Sequence, residues 1–180
     1  MKLLLRALAT FVLLNGVDSV ADESFQKCNV TGGPHGKEFD DSNATSRGLI
    51  LRALRLCGVD FVDGIGVTIW DLSVEENAPF HGLDQNCRDV QLSPYEYITS
   101  VEFHSAKIDS ETRVGFIRLL SQENKTYEIG KMSNRGKEGI SECTAPEGYQ
   151  LAGFYGRSED KIFALGALWG PLPEKWPLQG

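Results

Sequence analysis

No stretch of this 180-residue chain reaches the roughly 20 consecutive apolar residues that a membrane-crossing helix requires. Basic residues are also scarce: 18 Lys and Arg stand against 25 Asp and Glu, a formal net charge of −7. That balance argues against nucleic acid or an anionic membrane as the main partner, and solubility is its ordinary explanation. The four cysteines form no CxxC pair, and the three histidines, His35, His81 and His104, are scattered. The spacing of a zinc site is therefore missing, and no metal or other cofactor is expected. Beyond the first 21 residues no segment holds a helical period over eleven or more positions, so the core is not built from helices.

What the N-terminus does contain is the pattern of an export signal. Met1-Lys2 and Arg6 are positive, Ala7 to Leu14 is apolar, and Ser19-Val20-Ala21 puts small residues where a signal peptidase reads. Cleavage before Asp22 removes residues 1–21 and leaves a secreted, extracellular chain of about 159 residues, long enough for one domain with its own core. Losing Lys2, Arg6 and Asp18 leaves 16 basic against 24 acidic residues, a net −8. Cys28, Cys57, Cys87 and Cys143 all lie in the exported part. An even count in an oxidising compartment predicts two disulfides, with three connectivities open. Three sequons, at Asn29, Asn43 and Asn124, lie in polar, turn-like segments that would tolerate a glycan in a eukaryotic secretory pathway.

Residues 22–48 are polar and read as loop, with a tight turn at Gly32-Gly33-Pro34. Short β-like runs then alternate with turn residues: 49–56, 67–70, 96–103, 113–121, 151–155 and 162–169. The expectation is an all-β domain of many short strands, a sandwich, barrel or prism. The Pro-rich end, residues 171–180, reads as an extended tail. An internal echo lays Asp60-Phe61-Val62-Asp63-Gly64-Ile65-Gly66 over Asp160-Lys161-Ile162-Phe163-Ala164-Leu165-Gly166, each leading to a Trp, Trp70 or Trp169. Such an echo fits a domain of repeated sheets presenting equivalent loops.

Four segments in order resemble the jacalin-related lectins. Gly32-Gly33-Pro34-His35-Gly36-Lys37-Glu38-Phe39-Asp40-Asp41 resembles that family's N-terminal glycine loop, and 58–69 its second motif. His81-Gly82 with Tyr95-Glu96-Tyr97-Ile98 resembles its middle section, and Gly153 to Ser158 with Ala164-Leu165-Gly166 its closing motif. The likeness runs from Gly32 to Trp169 and assigns residues 22–170 to one such domain. It implies a β-prism of three four-stranded Greek-key sheets about a pseudo-threefold axis, binding carbohydrate without catalysis. Its partners would be glycans or glycoproteins, of mannose/glucose or galactose type, with affinity raised by two loops per domain or by oligomers. The family layout also favours a Cys57–Cys87 bridge, with Cys28–Cys143 as its companion.

A carboxylate can accept from two sugar hydroxyls at once, and glycine lets backbone N–H groups come close to the ring. On the resemblance, the candidate sugar contacts are Gly33, Asp60, Asp63, Asp160 and Lys161. The chain departs from the family pattern at one place: counted without a gap, the usual binding Asp falls on Phe163 and the motif glycine on Glu159. Gly156 and Asp160 satisfy GxxxD only with a three-residue shift. The equivalent loop at residues 59–63 keeps its carboxylates as Asp60 and Asp63. A second expectation follows, that of a degenerate β-prism serving as a secreted protein-binding or effector module.

Other patterns carry less. Gly156-Arg157-Ser158-Glu159-Asp160 misses the nucleophile elbow at its last position, with no helix after it. A glycosidase needs two facing carboxylates, and no spacing singles out a pair. Arg52-Ala53-Leu54-Arg55 matches the RxLR tetrapeptide of pathogen effectors, but it falls inside an expected strand and no Glu-Glu-Arg run follows. Trp70 and Trp169 close strands and read as packing, while Trp176 lies in the tail.

Overall fold

The computed structural model describes residues 25–45, 50–70, 74–108, 110–132 and 139–173; the signal segment, its cleavage point and Trp176 lie outside these residues. In chain order the strands are β1 (Gln26–Lys27), β2 (Thr31–Gly32), β3 (Lys37–Asp40), β4 (Ile50–Cys57), β5 (Gly64–Trp70), β6 (Glu75–Asn77) and β7 (His81–Gly82). They continue as β8 (Cys87–Gln91), β9 (Ile98–Ile108), β10 (Glu111–Ser121), β11 (Thr126–Gly130), β12 (Ile140–Thr144), β13 (Tyr149–Ser158) and β14 (Ile162–Pro171). A 3₁₀ turn at Asp41–Asn43 interrupts them.

These strands make three antiparallel sheets, each with a long central hairpin flanked by shorter strands brought from elsewhere in the chain. The first runs β1-β14-β13-β3 with β2 also against β14, and so joins the two ends of the domain. The second runs β6-β5-β4-β8 with β7 against β5, and the third β11-β10-β9-β12. Three sheets in Greek-key order match the expected β-prism. The third has the four strands expected, and the two-residue strands β2 and β7 raise the others to five.

One core lies between the sheets. Leu56 and Ile65 reach it from the second sheet, Phe103 and Ile117 from the third, Phe154 and Trp169 from the first. Burying each such side chain is worth about 1.5–3 kcal/mol. The alternation that makes this possible is plain in β4, where Leu54 and Leu56 point inward and Arg55 outward. In β14 every residue from Ile162 to Gly170 is buried; strands flank both its edges, and the rings of Tyr155 and Phe25 lie against Gly166 and Gly170.

The segment read as a polar loop, 22–48, holds β1, β2, β3 and the turn. Its strands are short and polar, and pairing with β13 and β14 rather than their own alternation makes them strands. Pro171 was assigned to the tail but is the last residue of β14, and the next amide, Leu172 N–H, donates to Gly148 O at 2.7 Å. Both expected disulfides form, Cys28–Cys143 and Cys57–Cys87. The first closes a separation of 115 residues, and the Trp169 indole N–H donates toward its two sulfurs at 3.0 and 3.1 Å. The second joins directly opposed residues of β4 and β8.

Away from the loops described below, Glu96 is 1% exposed and accepts from Tyr127 Oη at 2.6 Å, Lys125 Nζ at 2.9 Å and Ser93 N at 3.1 Å. Burial pushes this carboxyl up, but the hydrogen bonds from Tyr127, Lys125 and Ser93 more than reverse it and hold it at about 2. Burial and the hydrogen bond to Glu96 push the Tyr127 hydroxyl up to about 12.

Candidate carbohydrate-binding loops

The three central hairpins turn at the same end of the prism. Val62 N–H donates to Val114 O at 3.3 Å, Asp63 faces Arg113 at 3.6 Å, and Lys161 Nζ faces Glu111 at 3.4 Å. The β9–β10 hairpin thus touches the β4–β5 loop on one side and the β13–β14 loop on the other.

Beside each hairpin a glycine comes so close that no side chain fits. A Cβ on Gly32 would lie 2.1 Å from the Phe163 carbonyl oxygen, on Gly82 2.1 Å from that of Asp63, and on Gly130 2.1 Å from that of Gly115. Gly32 and Gly82 also hold φ of 131° and 85°, which residues with a Cβ rarely adopt. The residue after each glycine donates its N–H to the same carbonyl: Gly33 to Phe163 at 2.8 Å, Leu83 to Asp63 at 2.8 Å, Lys131 to Gly115 at 3.0 Å. Phe163, Asp63 and Gly115 therefore occupy equivalent positions in the three sheets. The echo between 60–66 and 160–166 has this structural basis, since Gly64 pairs with Gly82 as Ala164 pairs with Gly32.

The first-sheet loop is filled by an apolar group. Phe163 is 4% exposed, and the β13–β14 register skips it, passing from Arg157–Ala164 to Ser158–Ile162. The His35 ring lies 5.8 Å from its centroid and Lys161 Nζ 5.6 Å. A Cβ on Gly36 would sit 2.7 Å from the Phe163 ring. Arg157 clamps the glycine loop from outside, donating to the His35 and Gly36 carbonyls at 3.2 and 2.8 Å and to Glu38 at 2.6 Å. Gly33 is buried, and Asp160 stands exposed at the tip of the turn.

The second-sheet loop is built differently. The Asp63 backbone is held at both ends, its N–H donating to Cys57 O at 2.9 Å and its carbonyl accepting from Leu83. Its side chain is 28% exposed, with Arg113 at 3.6 Å as its partner. The Arg113 guanidinium in turn lies over the Phe61 ring, 4.2 Å from the centroid, a cation–π contact that fixes it. Asp60 is exposed three residues earlier in the same loop. The Cys57–Cys87 bridge anchors the loop's base. A carboxylate on a fixed backbone, with its oxygens reachable from solvent, can accept from two adjacent hydroxyls.

The candidate residues therefore fall into two groups, Gly33, Asp160 and Lys161 at the first loop and Asp60 and Asp63 at the second. Sequence reasoning missed Arg113, Phe61 and the Gly82-Leu83 pair. The last was within reach, because Gly82 belongs to a segment already singled out. Other residues turn out to be structural. Leu54 is buried, Arg55 pairs with Asp84 and Asp89 at 2.8 Å each, and Arg52 stacks on Trp70, so the RxLR tetrapeptide is ordinary strand. Cys57, Asp84 and Cys87 cluster as metal ligands would, but both sulfurs are tied up in the disulfide. His81 meets the buried Asp41 at 2.8 Å and stacks on Phe39, tying the first sheet to the second. The sequon asparagines Asn29, Asn43 and Asn124 are all exposed.

The model of the jacalin-like lectin domain matches residues 28–168. Jacalin-related lectin 22 of Arabidopsis thaliana is 29% identical over 160 residues, which cover 84% of this chain and 32% of that protein. The chain thus spans about a third of that relative's length. Wild-type Malaysian banana lectin has the same fold, with a TM-score of 0.68 at 21% identity over 82% of this chain and 99% of its own. So does artocarpin, solved with mannotriose, with a TM-score of 0.68 at 18% identity over 81% of this chain and 97% of its own. A mannose-binding jacalin-related lectin from Ananas comosus matches with a TM-score of 0.68 at 17% identity over 82% and 98%. By its matched segment and its three-sheet prism, this chain belongs to the jacalin-like lectin domain family, whose members bind carbohydrate and do no catalysis.

Proposed function

We propose that the protein is a secreted lectin that binds a neutral glycan at its second-sheet loop, with Asp63 as the principal ligand and Asp60 as its neighbour. The observation that carries this reading is the equivalence of Asp63 with Phe163: of the three matching positions, one has a carboxylate, one a buried ring and one no side chain. Asp63 accepts two vicinal sugar hydroxyls, Arg113 holds the carboxylate in place, and Phe61 offers an apolar surface beside it. Mannose is the first sugar to try, because the artocarpin and Ananas comosus structures are of a mannotriose complex and a mannose-binding lectin. Two disulfides suit the oxidising compartment that the N-terminal signal implies, and the exposure of Asn29, Asn43 and Asn124 is compatible with glycans there.

With one working loop per domain, useful avidity would come from oligomers or clustered ligands. A specific observation keeps a second reading in play. Phe163 and the Arg157 clamp close the first-sheet loop, as a prism adapted to bind protein would have it. A glycan array probed with the mature protein separates the two. Binding to a defined sugar class supports the lectin, and silence across the array at high protein density sinks it in favour of the protein-binding module.

A further inference from the structure

The outward face of the second sheet holds a trough that the loop site does not use. The strand register sets two rows across it: Gln91–Ala53–Thr68–Asn77, and Asp89–Arg55–Gly66. The central positions, Ala53, Thr68 and Gly66, are small and form a floor. The ring of Phe80 lies over Gly66 and Gly64, where added Cβ atoms would come within 2.9 and 2.6 Å of it. It makes an aromatic wall beside Asn77. The opposite wall is Arg55, Asp89 and Gln91, and Asp84 closes the upper end. The enclosed volume is about 440 Å³, within the usual range for small-molecule sites.

The chemistry of the walls points to a ligand rich in hydroxyls. Asn77 Oδ1 accepts from Thr68 Oγ1 at 2.7 Å, which leaves its NH₂ to donate into the trough. Arg55 is held by both Asp84 and Asp89, so the walls offer fixed polar groups with one carboxylate charge in excess. An aromatic face beside amide groups and carboxylate acceptors suits the apolar face and hydroxyl rim of a sugar ring. The closed end of the trough lies next to the loop site, since Asp84, which bounds it, follows Leu83, whose amide holds the Asp63 carbonyl. We propose that this trough is an extended subsite, which receives the sugar units that follow a terminal residue held at Asp63.

The inference rests on the lectin reading, and one experiment distinguishes their failures. Binding of methyl mannoside, mannotriose and longer mannose oligomers, with matched glucose and galactose series, is measured by calorimetry on the intact mature protein. The wild type should bind oligomers more tightly than the monosaccharide. Asn77→Ala combined with Gln91→Ala, both exposed, should lower oligomer affinity by about five- to twenty-fold and leave monosaccharide binding unchanged, as lost neutral hydrogen bonds would. Phe80→Leu should act the same way, and a thermal melt shows whether it still folds. Oligomer affinity equal to that of the monosaccharide, or unaltered in the double variant, overturns the trough while the lectin stands. Absence of binding to any sugar in the three series overturns both.

Discussion

The β4–β5 loop and the β13–β14 loop are the same structure given different chemistry. Each packs against a positive-φ glycine, and each has a carbonyl that accepts from the residue after that glycine. At the matching position one loop has Asp63, 28% exposed beside Arg113, and the other has Phe163, 4% exposed under His35 and Gly36. Backbone geometry has been kept in both, while the side chain that would do the binding is present in one. The prism's symmetry therefore supplies equivalent scaffolds with different side chains at the matching position. Arg157 belongs to the same contrast: its bonds to the His35 and Gly36 carbonyls fasten down the glycine loop that lies beside the buried Phe163.

The largest effect that would sharpen this contrast is on stability. Phe163→Ala should cost about 3–4 kcal/mol in denaturant unfolding, the usual loss for emptying a buried phenylalanine site, and leave sugar affinity as it was. A loss of binding on that substitution would break the comparison, because the first loop would then be part of the site. Asp63→Asn should do the reverse. Removing a carboxylate that accepts from two hydroxyls costs about 2–3 kcal/mol of binding, roughly 30- to 150-fold in Kd, with a melting temperature close to that of the wild type.

Glu96 shows what a structural carboxylate in this protein looks like, and so sharpens the assignment of Asp63. It is buried among donors from Ser93, Ser121, Lys125 and Tyr127, whereas among the described residues the Asp63 carboxylate faces one loosely placed partner, Arg113. Its folded value of about 2 lies below the usual 4.5, so its contribution is complete above about pH 5 and is lost as the pH falls toward 2. Glu96→Gln should cost on the order of 2 kcal/mol at neutral pH, allowing for the half-exposed Lys125. It should also flatten the acid limb of a plot of melting temperature against pH. Sugar binding at pH 7 should not change.

Much of this fold was legible in the sequence, for reasons that mark the limits as well. The six long apolar runs were found because alternation into the core leaves a period of two, as in Leu54-Arg55-Leu56. The strands β1, β2, β3, β6, β7, β8, β11 and β12 leave no such trace, because they are only two to five residues long and lie at the flanks of the central hairpins. The departure at Phe163 could be read by counting from a glycine, since the register is local. Arg113 could not, because it comes from another sheet 50 residues beyond Asp63 and meets it only after the three hairpins converge. Phe61 gained its role in the same way, from the guanidinium laid over it.

The smallest effect expected is also the one most open to a wrong guess from sequence. Gly156 and Asp160 satisfy the family's glycine-to-aspartate spacing, and Asp160 is exposed. Yet Asp160 lies in the turn before β14, three positions ahead of the residue equivalent to Asp63. The Gly33 amide, which would have to share the ligand, already donates to Phe163 O. Lys161 beside it is engaged with Glu111. Asp160→Ala should therefore change glycan affinity less than two-fold and stability by less than about 0.5 kcal/mol, as for ordinary surface sites. Measured beside Asp63→Asn on the same glycan, a comparable loss in both would mean that the first loop binds through Asp160 despite Phe163, and the division of labour between the sheets would fall.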